Sequence, residues 1–212
     1  MLPWDVNFSG VVTFLTVYQH KGVSDMAFIT DGGGNVISYA EALDVRDKDQ
    51  RVFEANEIDF TNVPDIPGSL DNYIEDLTQK STNRINQKIR ASARWREYLD
   101  YTGVGIDDFN SIPPIDMDLI ISRKPDFTDM CCYYTLKEYL LPKIADFGNP
   151  ESPEVQKIQY YDNKFNDLFT ELLDILDWYD QDNSGASDSD EKMLKFRLNR
   201  RTRGLKNVTR VR

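Results

Sequence analysis

Three stretches of the chain place apolar residues every three or four positions, which is the spacing of an amphipathic α-helix. They cover residues 69–101, 126–142 and 154–179. The residues predicted to face the core are Leu70, Ile74, Leu77, Ser81, Ile85, Ile89 and Ser92 in the first, Phe127, Met130, Cys131, Tyr134 and Leu141 in the second, and Val155, Ile158, Tyr161, Phe165, Leu168, Leu172, Ile175 and Tyr179 in the third. Because each helix has one broad apolar face, we predict that the three pack as a bundle.

Local signals predict where several helices begin and end. Asp126 follows Pro125 and suits the N-cap of the second long helix, and Pro142 ends or kinks that helix. The segment Ser38-Tyr39-Ala40-Glu41 has the form of a capping box, which predicts a short helix starting there. A second short helix is predicted over residues 47–56.

Residues 1–40 have a different pattern, rich in β-branched and aromatic residues. A run at 11–18 and two more at 26–30 and 35–39 are typical of strands, and Asp31-Gly32-Gly33-Gly34 separates the last two. A glycine-rich phosphate loop is the alternative, but no Lys-Ser/Thr follows and no helix clearly opens there. The pattern favours a β-hairpin.

Proline and glycine mark the connections at 59–69, 102–125 and 146–153, with a short strand or helical turn at 117–121. The predicted fold is mainly α: a helical bundle of three long helices plus short helices, with an N-terminal β-hairpin-like region and an extended basic C-terminal tail. The predicted divisions are a β-like extension at 1–40, a helical bundle domain at 41–191 and the tail at 192–212.

Charge is spread unevenly along the chain. The net charge is −11, yet no acidic residue follows Glu191, and the last 21 residues carry +9, which leaves −20 on residues 1–191. The cations of the tail are Lys192, Lys195, Arg197, Arg200, Arg201, Arg203, Lys206, Arg210 and Arg212. We expect the acidic body and the basic tail to meet different partners.

The tail has two interpretations. Nine cations suit nucleic-acid phosphates, and they equally suit an acidic groove of a protein on which the tail becomes ordered. The tail has no series of aromatic residues for stacking on single strands, and the acidic body opposes duplex binding by repulsion. The sequence therefore favours a protein partner.

Residues 180–191, DQDNSGASDSDE, fit the 12-residue calcium loop of an EF-hand. The predicted ligands are Asp180, Asp182, Ser184, Ala186 through its carbonyl, Asp188 and Glu191, with Gly185 at the sixth position. Ser187 stands at position 8, where an apolar residue normally pairs with a sister loop, and the chain has no second loop. Ca²⁺ is thus a possible cofactor, and the alternative is a solvated acidic surface loop.

Catalytic signatures are lacking in the sequence. The one histidine, His20, has no ligand or triad pattern around it, and no nucleophile elbow, zinc-protease, P-loop or dinucleotide motif occurs. Cys131 and Cys132 are adjacent and suit the interior of a helix better than a disulfide. No apolar run approaches the ~18 residues of a membrane span. We expect a protein that is not an enzyme and has no membrane partner.

Several segments resemble the head-to-tail connector, or adaptor, proteins of tailed bacteriophages. They are DVRDKDQRVF at 44–53, LTQKSTNRI at 77–85, WREY at 95–98, CCYYTLKEYL at 131–140 and YYDNKF at 160–165. The resemblance covers about residues 40–212 and concerns the order and character of the helices. Residues 1–40 depart from it.

The resemblance implies a structural virion protein of the phage neck, made in the host cytoplasm. Such adaptors form a homo-oligomeric ring, usually of about twelve copies, under the portal protein, and DNA passes through the ring during ejection. A C-terminal tail inserts between portal subunits, and residues 192–212 match that tail here. Further neck or tail proteins are implied partners. A calcium-binding or nucleic-acid-binding helical regulatory module is the alternative.

Overall fold

The computed structural model describes residues 28–54, 70–104 and 111–185. Its elements are β1 (Ile29–Thr30), β2 (Val36–Ser38), α1 (Ala42–Lys48), α2 (Gln50–Glu54), α3 (Leu70–Ala91), α4 (Ala93–Tyr101), a 3₁₀ turn (Met117–Leu119), α5 (Lys124–Thr135), a π-helical turn (Leu136–Leu140), a second 3₁₀ turn (Leu141–Lys143) and α6 (Pro153–Ile175). The predicted strand at 11–18, the linker at 59–69 and the tail lie outside the described residues.

The mainly helical fold predicted from the sequence is confirmed. Helix α5 packs against both α3 and α6, and the three helices share a single apolar core. The predicted core residues of the second helix are all buried, as are the middle five of the first, and the third contributes Tyr161, Phe165 and Leu172. None of the described helices is both long enough and apolar enough to cross a membrane.

The predicted hairpin is also present, as the antiparallel pair β1–β2. The Asp31 carboxylate accepts hydrogen bonds from the N–H groups of Gly33 (2.8 Å) and Asn35 (2.9 Å), and Gly34 has φ 87°, which glycine adopts without strain. Tyr39 follows β2 and is buried against the ring of Phe127, 5.1 Å between centroids. The described part of the β-like extension thus shares the core of the bundle.

Buried hydroxyl groups join the hairpin to the helices. The N–H of Tyr39 donates to Thr82 Oγ1 on α3 (3.1 Å), and the hydroxyl of Thr128 on α5 donates to the Tyr39 carbonyl (2.8 Å). Ser81 and Thr135 contact each other across α3 and α5 at 2.7 Å. Thr82 and Thr128 thus pair the main-chain N–H and carbonyl of Tyr39, which burial would otherwise leave unsatisfied.

Two helix starts differ from the sequence prediction. The capping box of α1 is formed by Glu41 and Asp44, because the Ser38 hydroxyl is buried and donates to the Ala40 carbonyl (3.0 Å). Helix α5 begins at Lys124, so that Asp126 lies in its first turn and forms an ion pair with Arg123 (2.7 Å).

Two long helices are also interrupted. The first divides into α3 and α4 at Ser92, whose side chain accepts the N–H of Trp95 and caps α4. Before Pro142 the second widens into the π-helical turn and then tightens into a 3₁₀ turn, because proline cannot donate the next helical hydrogen bond.

Both cysteine thiols are buried, and their surroundings make them unreactive. Burial raises the pKa of Cys131 to about 12 and that of Cys132 well above its usual value. Since the thiolate is the reactive form, we expect a thiol reagent at pH 8 to modify neither residue in the folded protein and both after denaturation. Rapid modification of the folded protein would contradict the buried placement.

Candidate functional site

The site is the end of α6, where the predicted calcium loop begins. The sequence pattern extended this helix to Tyr179, and that is wrong: it ends at Ile175. Leu176 has φ 49° and its N–H still bonds the Leu172 carbonyl (3.1 Å), so the left-handed residue closes the helix and turns the chain back.

After this turn the chain pairs with the segment that follows the first 3₁₀ turn. The N–H of Ile121 donates to the Trp178 carbonyl (3.0 Å), and the N–H of Asp180 donates to the Leu119 carbonyl (2.9 Å). These two hydrogen bonds flank an isolated antiparallel β-bridge between the two segments. It attaches the exit of α6 to the body through main-chain groups.

Trp178 anchors the same segment in the core. Its indole is fully buried, stacks on Trp95 with 5.6 Å between centroids, and meets Phe127 edge-on at 4.9 Å. Its ring N–H donates to the Leu172 carbonyl (2.9 Å). Burial of so large a side chain with its polar group satisfied fixes the position from which the loop departs.

The loop itself is organised by Asp180, whose side chain is buried, with 1% of the residue exposed. Its two carboxylate oxygens accept the N–H groups of Ser184 (3.1 Å) and Gly185 (2.7 Å). The Asp182 carboxylate also accepts the Ser184 N–H, at 3.0 Å. Hydrogen bonds, above all one with the Ser184 side chain, lower the pKa of Asp182 and keep this exposed group ionised.

The structure therefore brings together three of the six predicted calcium ligands, Asp180, Asp182 and Ser184. Gly185 has φ 85°, the left-handed conformation that a sharp turn at the sixth loop position requires. Ala186, Asp188 and Glu191 lie outside the described residues. Within the described ranges, no group of three or more acidic, histidine or cysteine side chains is placed to hold a metal. Calcium binding stays a prediction.

Calorimetric titration tests that prediction. We expect the protein to bind Ca²⁺ with a dissociation constant of about 10⁻⁴–10⁻³ M, because the loop is single and unpaired. Glu191→Gln should abolish the heat by removing the anionic ligand at position 12, whereas Glu151→Gln, at an exposed position before α6, should not change it. If the unmodified protein gives no heat of binding at millimolar Ca²⁺, the loop does not bind the metal and is only a solvated segment.

Asp180 also has a structural role that can be measured. We expect Asp180→Asn to lower the free energy of unfolding by about 1–3 kcal/mol, since a buried anionic acceptor of two N–H groups is replaced by a neutral amide. Asp182→Asn, at the exposed neighbour, should change it by less than about 0.5 kcal/mol. Urea unfolding of both variants measures the difference, and equal effects would contradict the assigned roles.

The nine predicted partner-binding cations, Lys192, Lys195, Arg197, Arg200, Arg201, Arg203, Lys206, Arg210 and Arg212, all lie outside the described residues. The last described residue before them is Gly185, so their positions are not described.

The exposure of Ile175 on α6 and the burial of Lys137 against α6 were not predicted from the sequence. Ile175 was assigned to the core and is 40% exposed, and Tyr160 is 55% exposed. Lys137, one helical turn from Tyr134, is buried: its ammonium lies 2.5 Å from the Asp162 carboxylate and 4.5 Å from the Phe165 ring centroid. The YYDNKF segment contains two of the partners of Lys137, Asp162 and Phe165, but its order along the chain does not reveal the contact.

Comparison with known proteins adds no relative: no family model, no curated protein and no solved structure matches this chain.

Proposed function

We propose that the protein is a structural component of a phage neck, a ring-forming head-to-tail adaptor that docks on the portal protein through residues 192–212. The observation that carries the proposal is the fixed exit of α6. Trp178 and the main-chain bonds of Ile121 and Asp180 hold that exit on the bundle. A basic segment that begins seven residues after Gly185 in the chain would reach the same groove in every copy of a ring.

The charge of the chain supports the same role. Residues 1–191 carry −20, so a ring built from them repels phosphates and lets DNA slide through without sequence-specific contact. The nine cations of the tail complement an acidic portal groove. With about twelve copies acting together, contacts that are modest individually give durable attachment. Further neck or tail proteins would bind the opposite side of the ring.

Sedimentation velocity tests the proposal. The purified protein is mixed with portal rings encoded by the same phage genome, and we expect it to co-sediment with them at low salt and less so at 0.5 M salt. Nine cations act over a Debye length of about 8 Å at physiological ionic strength, so added salt screens them. Absence of co-sedimentation at every salt concentration would reject the portal as the partner.

A calcium-binding regulatory module is the second candidate, and the convergence of Asp180, Asp182 and Ser184 favours it. It predicts that Ca²⁺ changes the interactions of the protein with its partners. In the adaptor proposal, by contrast, a metal would only stiffen the junction before the tail. Co-sedimentation with portal rings in Ca²⁺ and in chelator separates the two.

A further inference from the structure

The solvent-facing side of α6 forms a continuous stripe. Exposed side chains recur in adjacent pairs along it, at 159–160, 163–164, 166–167, 170–171 and 174–175. This repeat of three and four residues keeps the pairs on one side of the helix. Two of the four large apolar side chains exposed in the described part of the chain, Tyr160 and Ile175, lie on the stripe, about 22 Å apart along the axis.

The two halves of this stripe differ in chemistry. The N-terminal half presents Tyr160 and Lys164, and the ammonium of Lys164 lies 5.7 Å from the Tyr160 ring centroid. Lys164 has no ion pair with another described residue. The C-terminal half presents Glu171, Asp174 and Ile175 and no cation. The stripe thus runs from aromatic and basic to acidic and aliphatic.

We infer that two copies of this chain associate through α6, antiparallel, about a two-fold axis near Asp167. A two-fold contact requires a surface that complements itself. In an antiparallel pair centred at residue 167, Tyr160 of one copy lies opposite Asp174 and Ile175 of the other, and Lys164 lies opposite Glu171. Each copy supplies both halves, so the tyrosine contacts and the ion pair each occur twice.

The groups on the stripe are already held in place. The Tyr160 ring lies edge-on to Tyr161, 5.3 Å between centroids. The Glu171 carboxylate is fixed by Arg123 at 2.5 Å and that of Asp174 by Arg94 at 3.5 Å. Each of these ion pairs uses one carboxylate oxygen, which leaves the other to face a partner. Side chains that are ordered before binding lose little entropy when the contact forms.

Asp167 opposes the association, because the two copies of its carboxylate meet near the axis. The contact is also mostly polar and limited to one pair of helices. We therefore expect a weak dimer, with a dissociation constant on the order of 10⁻⁵–10⁻⁴ M. Asp167→Asn should tighten it severalfold by removing the like-charge repulsion.

Cross-linking tests the geometry, and the buried Cys131 and Cys132 do not interfere. With a short bis-maleimide, Asp167→Cys should cross-link with itself. Tyr160→Cys should not, because its two copies are about 20 Å apart in the antiparallel pair. An equimolar mixture of Tyr160→Cys and Ile175→Cys should cross-link. Equal cross-linking of Tyr160→Cys alone would overturn the antiparallel arrangement.

Sedimentation equilibrium tests the chemistry. Lys164→Glu should weaken the dimer about tenfold or more, since two ion pairs become repulsive, and Lys164→Glu with Glu171→Lys should restore it. Circular dichroism checks that each variant is folded. An unmodified protein that remains monomeric up to about 1 mM, or a double variant no tighter than Lys164→Glu, would overturn the inference. A two-fold pair cannot be repeated around a cyclic ring, so this dimer is a form of the free protein that separates before a ring assembles. The inference does not rest on the adaptor role, which is tested separately with portal rings.

Discussion

Deletion of residues 192–212 is expected to abolish stable attachment to the portal ring. The deletion removes all nine cations that follow Glu191. Because each subunit of the ring loses its contact, the loss multiplies over the copies, and the affinity should fall by about 10²-fold or more. Co-sedimentation with portal rings measures it.

The truncated body should remain folded, since the deleted segment has few apolar residues to contribute to a core. Its circular dichroism and urea midpoint should match those of the full chain. A second variant, which keeps the tail length and replaces its nine cations with Gln, separates charge from length and should also fail to attach. Wild-type-like attachment of either variant, or unfolding of the truncated body, would contradict the proposed role of the tail.

Trp178→Ala should have the largest effect on stability. The indole is fully buried between Trp95 and Phe127, and it satisfies the Leu172 carbonyl. Truncation leaves a cavity and removes one of the two hydrogen bonds that the Leu172 carbonyl accepts, which should lower the free energy of unfolding by about 3–5 kcal/mol. Urea unfolding followed by circular dichroism measures the change.

The matched control is Phe147→Ala, which also removes an aromatic ring. Phe147 is 66% exposed at the turn before α6, so its loss should change the free energy of unfolding by less than about 1 kcal/mol. If Trp178→Ala proved as mild as this control, the exit of α6 would not be anchored as described. The observation that carries the proposed function would then fail.

The hairpin and the buried faces of the helices could be predicted because they follow from local periodicity. The pattern around Ile74, Ile85 and Phe127 repeats with the helical period, and the glycines after Asp31 permit the turn. These signals are contained within a few neighbouring residues.

Helix ends were less predictable, because tertiary contacts decide them. Tyr179 continues the apolar period of α6, yet burying Trp178 against Trp95 requires the chain to reverse at Leu176. Ser38 has the sequence of an N-cap, but its hydroxyl is buried, where it donates to the Ala40 carbonyl and contacts Thr82 Oγ1 on α3 at 3.4 Å. A pattern along the chain does not contain these distant partners.

The candidate site likewise combines features that could be predicted from the sequence with features that could not. Residue types and spacing were sufficient to single out Asp180, Asp182 and Ser184, and the structure places them together. The burial of Asp180 could not be predicted, because it depends on pairing with Leu119, some sixty residues earlier in the chain. Ile175 was predicted to lie in the core because it continues the apolar spacing of α6. That spacing does not show that the helix ends at this residue.

Electron microscopy of the mixed complex tests most directly whether this protein forms a ring on the portal. Portal rings incubated with the full-length protein should show an added ring of about twelve copies on one end, coaxial with the portal channel. The variant without residues 192–212 should leave the portal bare. Portal rings that stay bare with the full-length protein, or density scattered around the portal without ring symmetry, would contradict the account.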